Sequence, residues 1–327
     1  MDERFMHGLK REPAAEFDQA LRARLRREEE VAADRREARR APWAPLLAPA
    51  LLVALLASVI LFPSVRASAQ AFLDLFRIHN FTAVSVSADR MKQLEDGKLD
   101  LKSLIGDRVQ TVTDPGPAHV VASAALAGAA TGFIVKTPAT LPAGLQADTV
   151  SWRGAGEAQI TADVARLRQV LDALDIHDVS VPTSIDGQKI DFKMSPVVRQ
   201  RFDTADLRAD LLQAKSPEIG LPAGVNLAEL GEIGLRILGL DATEARRLAQ
   251  SIDWRSTMLI PVPANAGSFR QVEVSGNPGL LVTISVTTSD GKRREGAIVL
   301  WSQGDMVYAL NGNLSSADLL QMANSVQ

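Results

Sequence analysis

One stretch constrains this chain more than any other: Trp43–Phe62, WAPLLAPALLVALLASVILF. No charged residue lies between Arg40 and Arg66. A helix of this length rises about 30 Å, the hydrocarbon thickness of a bilayer. In lipid a helix satisfies its own backbone donors and acceptors, so a single span is stable there. Pro45 and Pro49 fall in the first turns, where a missing N–H costs least. A helix buried in a soluble core is seldom apolar on every face for this long. The sequence therefore predicts a transmembrane helix at 43–62, with the lipid bilayer as its partner.

Flanking charge sets the orientation. Residues 23–42 hold seven arginines, Arg24, Arg26, Arg27, Arg35, Arg36, Arg39 and Arg40, whereas residues 63–82 hold two, Arg66 and Arg77. Basic flanks stay cytoplasmic, which puts residues 1–42 inside a bacterial cell membrane and residues 63–327 outside. Ala67-Ser68-Ala69 has the small-x-small pattern of a signal-peptide cleavage site. The long charged segment before the apolar run favours an uncleaved anchor instead.

The inner tail, residues 1–42, carries eleven Lys/Arg and ten Asp/Glu. Phe17, Leu21 and Leu25 recur at i, i+4 and i+8 on a helix expected over Ala14–Arg39, with Pro13 at its start. Mixed-sign charges three and four apart support such a helix in water. The thin apolar stripe has the spacing of a docking helix, which lays its anchors into a groove on a cytoplasmic partner.

The outer region is long enough for a real core, and it is expected to be α+β. After a juxtamembrane helix within 63–78, Phe81–Val86 and Val109–Val112 read as strands around a helix at Met91–Leu104. A helix is expected at His119–Ala127, between Pro117 and Gly128, followed by a strand Gly132–Pro138. Helices are expected at Ile160–Leu174, Leu227–Leu238 and Ala242–Ile252, and strands at Val179–Val181 and Lys189–Met194. Met258–Val262, Arg270–Val274, Gly279–Thr287, Gly296–Trp301 and Met306–Leu310 read as a five-stranded antiparallel meander. Its turn signals are Gly276–Gly279, Ser289–Lys292 and Gln303–Asp305. Ser315 is placed to cap a last helix, Ser316–Ser325, whose Leu319, Leu320 and Ala323 face the sheet. Leu141-Pro-Ala-Gly144 recurs as Leu221-Pro-Ala-Gly224, each after a strand and a proline. That recurrence argues for two related α+β units, 79–210 and 211–327.

Two stretches carry a family resemblance. They are Pro63–Phe76, and the tail from Val299-Leu-Trp-Ser-Gln-Gly-Asp-Met-Val-Tyr to the capped helix ending at Val326. The plan resembles membrane-anchored bacterial anti-sigma factors of the extracytoplasmic-function type. The tail is similar to an uncharacterised C-terminal domain often appended to such regulators. The resemblance implies a sigma factor bound by the inner tail through Phe17, Leu21 and Leu25. The tail departs from the zinc-binding version of the pattern, with one histidine, His7, and no cysteine.

The sequence offers no catalytic residue, no cofactor-binding residue and no metal ligand. Absence of cysteine excludes disulfides, thiolate metal sites and cysteine nucleophiles. His7, His79, His119 and His177 are scattered, and none belongs to a metal motif. Asp172, Asp175 and Asp178 share a spacing near a helix end without the later glutamate of a calcium loop. Trp152, Trp254 and Trp301 are expected as core or rim residues. A formal net charge of −3 argues against nucleic acid as a partner. The expectation is a non-enzymatic, single-pass regulator that couples an extracytoplasmic sensing or scaffold domain to a cytoplasmic partner-binding tail. The alternative is a membrane-anchored envelope module that holds a lipid or peptide, in the manner of lipoprotein carriers.

Overall fold

A computed structural model describes residues 78–87, 89–90, 109–142, 144–264, 267–287 and 293–327. The tail, span and juxtamembrane helix expected within 1–77 lie outside the described residues. So do the helix Met91–Leu104 and the turn Ser289–Lys292. Among the described residues no helix is long and apolar enough to cross a membrane. What is described is α+β, with more strand than helix, as expected.

The meander has four strands: β11 (Gly267–Val274), β12 (Asn277–Thr287), β13 (Arg293–Gln303) and β14 (Met306–Gly312). In β14, Met306, Tyr308 and Leu310 alternate inward on one face, the period of a sheet with one side on the core. The first hairpin closes one residue earlier than its turn signal suggested. Val274 pairs with Asn277, and the two loop residues Ser275 and Gly276 have φ of 49° and 77°. Two successive positive φ values match the twist of a two-residue hairpin. Pro278 therefore lies within β12, near its start, where a missing N–H is tolerated.

Met258–Val262 does form a strand, β10 (Thr257–Pro263), but not the first strand of the meander. It pairs in parallel with β1 (Asn80–Val86), in register Asn80 with Thr257, as a separate two-stranded sheet. Such a pair is covered on both sides. Phe81 packs with Leu280 and Val282 of the large sheet, whereas Val84 and Val86 pack with two helices. These helices, α3 (Leu227–Ile237) and α4 (Ala242–Ser251), are capped by Asn226 and Asp241.

Eight strands form the large sheet, in the order β11-β12-β13-β14-β8-β7-β4-β3, and four form a smaller one, β2-β5-β6-β9. The two orders match strand for strand along the chain. β2 (Val109–Thr113) leads to β3 (His119–Val121), and β4 (Gln146–Arg153) to β5 (Gly156–Thr161). Likewise β6 (Lys189–Met194) leads to β7 (Val197–Asp203), and β8 (Arg208–Lys215) to β9 (Glu218–Gly220). Each junction carries a ladder breaker: Pro115-Gly116-Pro117, Gly154, Pro196 and Pro217. Proline lacks the N–H a ladder needs, and glycine lets backbones close in. Gly154 N–H donates to Pro115 O at 3.0 Å across this line, where an added Cβ would sit 3.0 Å from the same oxygen. Four long strands are thus interrupted along one Gly/Pro line. The expected division at 210/211 falls inside β8, which pairs with β7 on one side and β14 on the other.

Three other expectations change. The helix placed at His119–Ala127 begins later, as α1 (Ala124–Thr131), because Ser123 caps it and Gly132, at φ 74°, ends it. His119–Val121 is instead strand β3. The helix placed at Ile160–Leu174 is α2 (Val164–Ala173), since Asp163 accepts from Arg166 N and Ile160 belongs to β5. Val179 and Val181 are not a strand; they pack against the cluster of Leu171, Leu174 and Ile233. Gly144 and Gly224, the last residues of the two LPAG segments, are both left-handed, but one leads into a strand and the other into α3.

The main core lies between the large sheet and α5 (Ser316–Asn324), capped by Ser315 as expected. Leu319, Met322 and Ala323 of α5 meet Leu211, Val299, Trp301, Tyr308 and Leu310 of the sheet.

Candidate functional site

The residues singled out in the sequence mostly fall apart in space. His7 lies outside the described residues. His119 stacks on Trp152, with ring centroids 4.8 Å apart. The His177 ring lies between Asp172 and Asp175, at 3.3 Å and 3.0 Å, on a well-exposed turn. Asp178 turns away to Arg236, whose hydrogen bond holds the Asp178 carboxyl below its ordinary value. The three aspartates do not converge. Among the described residues no group of three or more His, Asp or Glu is placed to hold a metal ion. Trp301 is a core residue stacked on Tyr308, and burial raises the Tyr308 pKa. Trp254 is half-buried and donates its indole N–H to Ala249 O at 2.8 Å.

Polar order is concentrated instead around a segment expected to be a strand. Gly132 ends α1, and among the described residues Phe133–Pro138 forms no strand and joins a ladder only through a single bridge from Pro138 to Val326. Its backbone is held by side chains. Gln213 Oε1 accepts from Lys136 N at 2.9 Å, while Gln213 Nε2 and Gln200 Nε2 donate to Lys136 O at 2.7 Å and 2.6 Å. Both glutamines are buried, on the same face of the sheet as Leu211. Thr137 exchanges two backbone hydrogen bonds with Gln327, and Lys136 Nζ reaches Gln303 Oε1 at 2.8 Å. A side-chain amide sets N–H donors beside a carbonyl acceptor, as the backbone of a strand neighbour does. The segment is therefore strapped across β7 and β8, with the residues after α5 on its other side.

A cleft of about 470 Å³ opens beside β1 and the end of α4, next to the β11–β12 hairpin. Its lining is mixed: Asn80, Ser251, Asp253 and Gln271 bring polar groups, and Leu248 and Ile252 bring apolar ones. Gln271 Nε2 donates to Phe81 O at 3.1 Å. Ser256 Oγ and Arg255 N donate to Asp253, and these bonds hold its carboxyl below the ordinary range. Alongside runs β11, an edge strand that pairs with β12 alone among the described strands. In an antiparallel ladder every second residue points its backbone groups outward. With Val274 and Asn277 closing a two-residue hairpin, those residues on β11 are Phe269, Gln271 and Glu273. Amide, hydroxyl and free-edge backbone groups suit the recognition of an extended chain; they do not form a nucleophile–base pair.

Sequence reading missed the clamp glutamines, though a signal was present. Val198, Gln200 and Phe202 alternate inward, as do Ala209, Leu211 and Gln213. A polar residue in an apolar register needs an internal partner. Comparison with family models, with curated proteins and with solved structures finds no match for this chain.

Proposed function

We propose that this chain is a single-pass membrane regulator resembling an anti-sigma factor. Residues 1–42 lie in the cytoplasm and bind a sigma factor or comparable transcription partner through Phe17, Leu21 and Leu25. Residues 43–62 span the bilayer, and the α+β body lies outside. The observation that carries the reading is the charge-free Trp43–Phe62 stretch, with seven arginines before it and two after. The body supports it by offering recognition surfaces, a cleft and a free strand edge.

Absence of cysteine makes the topology directly testable. Single cysteines placed by Ala20→Cys and Ser184→Cys are probed with a membrane-impermeant maleimide on intact spheroplasts. The reading expects labelling at position 184 only, and at both positions after lysis. Labelling at position 20 in intact cells overturns it. Capture with a 1–42 peptide, against one carrying Phe17→Ala, Leu21→Ala and Leu25→Ala, tests the partner; equal recovery of a sigma factor on both discards the stripe as its docking face.

A second reading is favoured by the cleft: an envelope module that binds an extended polypeptide. The cleft's mixed lining and the outward backbone groups of β11 beside it suit an extended polypeptide. The two readings are compatible, since a bound peptide is one kind of signal such a regulator would sense.

A further inference from the structure

The edge of a sheet is where another chain can pair, because its outward backbone groups meet no strand of the same fold. Most edges among the described strands are closed off. β3 and β9 are three residues long, and β2 breaks register between Thr111 and Thr113. In the two-stranded sheet, Asn80 N donates to Ser256 O and Ala264 N to Val86 O. Pro261 and Pro263 therefore fall where the backbone of β10 points away from β1, and proline offers no N–H there. On β1 the outward Phe81 O is taken by Gln271 Nε2. β11 has none of these protections. It is eight residues long, without proline or register shift, and Ser268, Phe269, Arg270 and Gln271 are exposed in succession. Successive residues point to opposite faces, so exposure of four in a row leaves both sides of this edge open.

The outward backbone groups of β11 belong to Phe269, Gln271 and Glu273. Their side chains share one face, since Phe269 pairs with Val282 and Gln271 with Leu280, which pack with Phe81 of β1. That face borders the cleft, which is lined by Gln271 and by Pro278, the partner of Glu273. A strand added to β11 would put alternate side chains over the cleft. Two carboxylates border it. Asp253 lines the cleft, and Ser256 Oγ and Arg255 N donate to its carboxyl at 2.7 Å and 3.1 Å, which favours the charged form. The charge of Arg255 is the smallest influence on that carboxyl. Glu273 is the second carboxylate, on the cleft side of β11. Arg270 belongs to the opposite face, with Ser268 and Val272. A second copy of β11 would bring Phe269, Gln271 and Glu273 to the cleft face, and no base. A partner with a basic side chain complements these charges.

We propose that β11 takes up an extended peptide as an added antiparallel strand, with a Lys or Arg side chain of the peptide in the cleft beside Asp253. The proposal rests on the polypeptide-binding reading above and names the partner's chemistry. Backbone hydrogen bonds to Phe269, Gln271 and Glu273 supply affinity without regard to sequence, and the cleft supplies selectivity. Every ladder of the large sheet is antiparallel, which sets the direction. Paired residues share a face, so the basic residue lies opposite Gln271. Two positions further along the peptide, a side chain lies opposite Phe269, which is 41% exposed and offers its ring to an apolar neighbour. The recognised pattern is a base, any residue, then an apolar residue, in a segment free of proline.

The test selects from a random library of short peptides displayed on phage, against the full chain immobilised in a nonionic detergent. Enriched peptides are resynthesised with a fluorescein label and titrated by fluorescence anisotropy. They should carry Lys or Arg followed two residues later by an apolar side chain. Phe269→Thr keeps the edge N–H but loses the ring, and should weaken binding severalfold. Phe269→Pro also removes the N–H, which an edge strand tolerates, and should weaken binding about tenfold further. Asp253→Asn should remove the preference for the base and leave binding of the same peptide with Gln in its place unchanged. Equal binding by Phe269→Thr and Phe269→Pro overturns edge addition and leaves the polypeptide-binding reading standing. No enrichment over selection on the bare surface overturns both. A wild-type dimer that Phe269→Pro returns to monomers assigns the edge to a second copy and overturns the proposal. Hydrogen exchange on wild type covers a variant that does not fold. Bound peptide should slow exchange at the amides of Phe269, Gln271 and Glu273, and unchanged exchange there also overturns edge addition.

Discussion

The two halves of the large sheet, β11–β14 and β8-β7-β4-β3, are held by different forces. In β12, β13 and β14 the buried side chains on both faces are apolar apart from Ser302. Leu281, Val299 and Leu310 face α5, while Leu280 and Val282 face the β1–β10 pair. In the second half polar groups sit at positions where the first half has leucines and valines. Gln200 and Gln213 clamp the strap on one face. On the other, Arg199 grips Asp210 through two bonds of 2.8 Å and 2.6 Å, and Arg201 adds a third at 3.2 Å. Apolar burial is non-directional and rewards only area. A hydrogen-bonded clamp is directional and fixes a position. The first half thus supplies stability, and the second half fixes where particular segments lie.

The largest way to test this contrast is to remove apolar volume from the first half. Trp301 is buried and stacks on Tyr308. Trp301→Ala is expected to cost about 3–5 kcal/mol by urea unfolding, with the whole body losing stability together. In the second half, Gln213→Leu keeps the shape but removes both bonds to Lys136. The expected cost is about 1–3 kcal/mol, most of it from the stranded Lys136 N–H. Its signature is local: faster amide exchange at Lys136 and faster tryptic cleavage after Lys136, without matching changes in the meander. Because Gln200 also donates to Lys136 O, adding Gln200→Leu should be non-additive. Strict additivity, or uniform loss across the sheet, would erase the distinction between the halves.

The same division explains what could be read in the sequence. The meander was legible because Met306, Tyr308 and Leu310 alternate and because Gly276 and Gly304 punctuate it. α3, α4 and α5 began where expected, after the caps Asn226, Asp241 and Ser315. α1 and α2 are capped too, by Ser123 and Asp163, yet start later than expected because β3 and β5 take the residues before them. Non-local pairing left no such mark. The apolar alternation of Met258–Val262 is the same for a meander strand and for a parallel partner of Phe81–Val86. Gly132–Pro138 reads as a strand because its residues suit one, yet its backbone at Lys136 is met by glutamine side chains from β7 and β8. Pro117 before it and Gly128 beyond it place His119–Val121 in a helix, yet its pairing with β4 makes it a strand.

The smallest expected effect carries the contrast beyond the sheet, to an exposed clamp. Asp178 accepts from Arg236, and that bond lowers its pKa from 3.8. A carboxyl whose folded pKa is depressed contributes stability above its unfolded value, and the contribution disappears as pH falls through the folded value. Wild type should therefore melt above Asp178→Asn at pH 7. The gap should narrow from about pH 4 downward and close in stronger acid, as wild-type Asp178 takes up its proton. The Asp178 side chain is 53% exposed, so solvent screening keeps the gap modest, and added salt should shrink it further. A gap unchanged between pH 7 and pH 2 would mean that Asp178 acts through its shape. Directionality would then belong to the buried clamps at Lys136 and Asp210 alone, where water does not compete for the same donors.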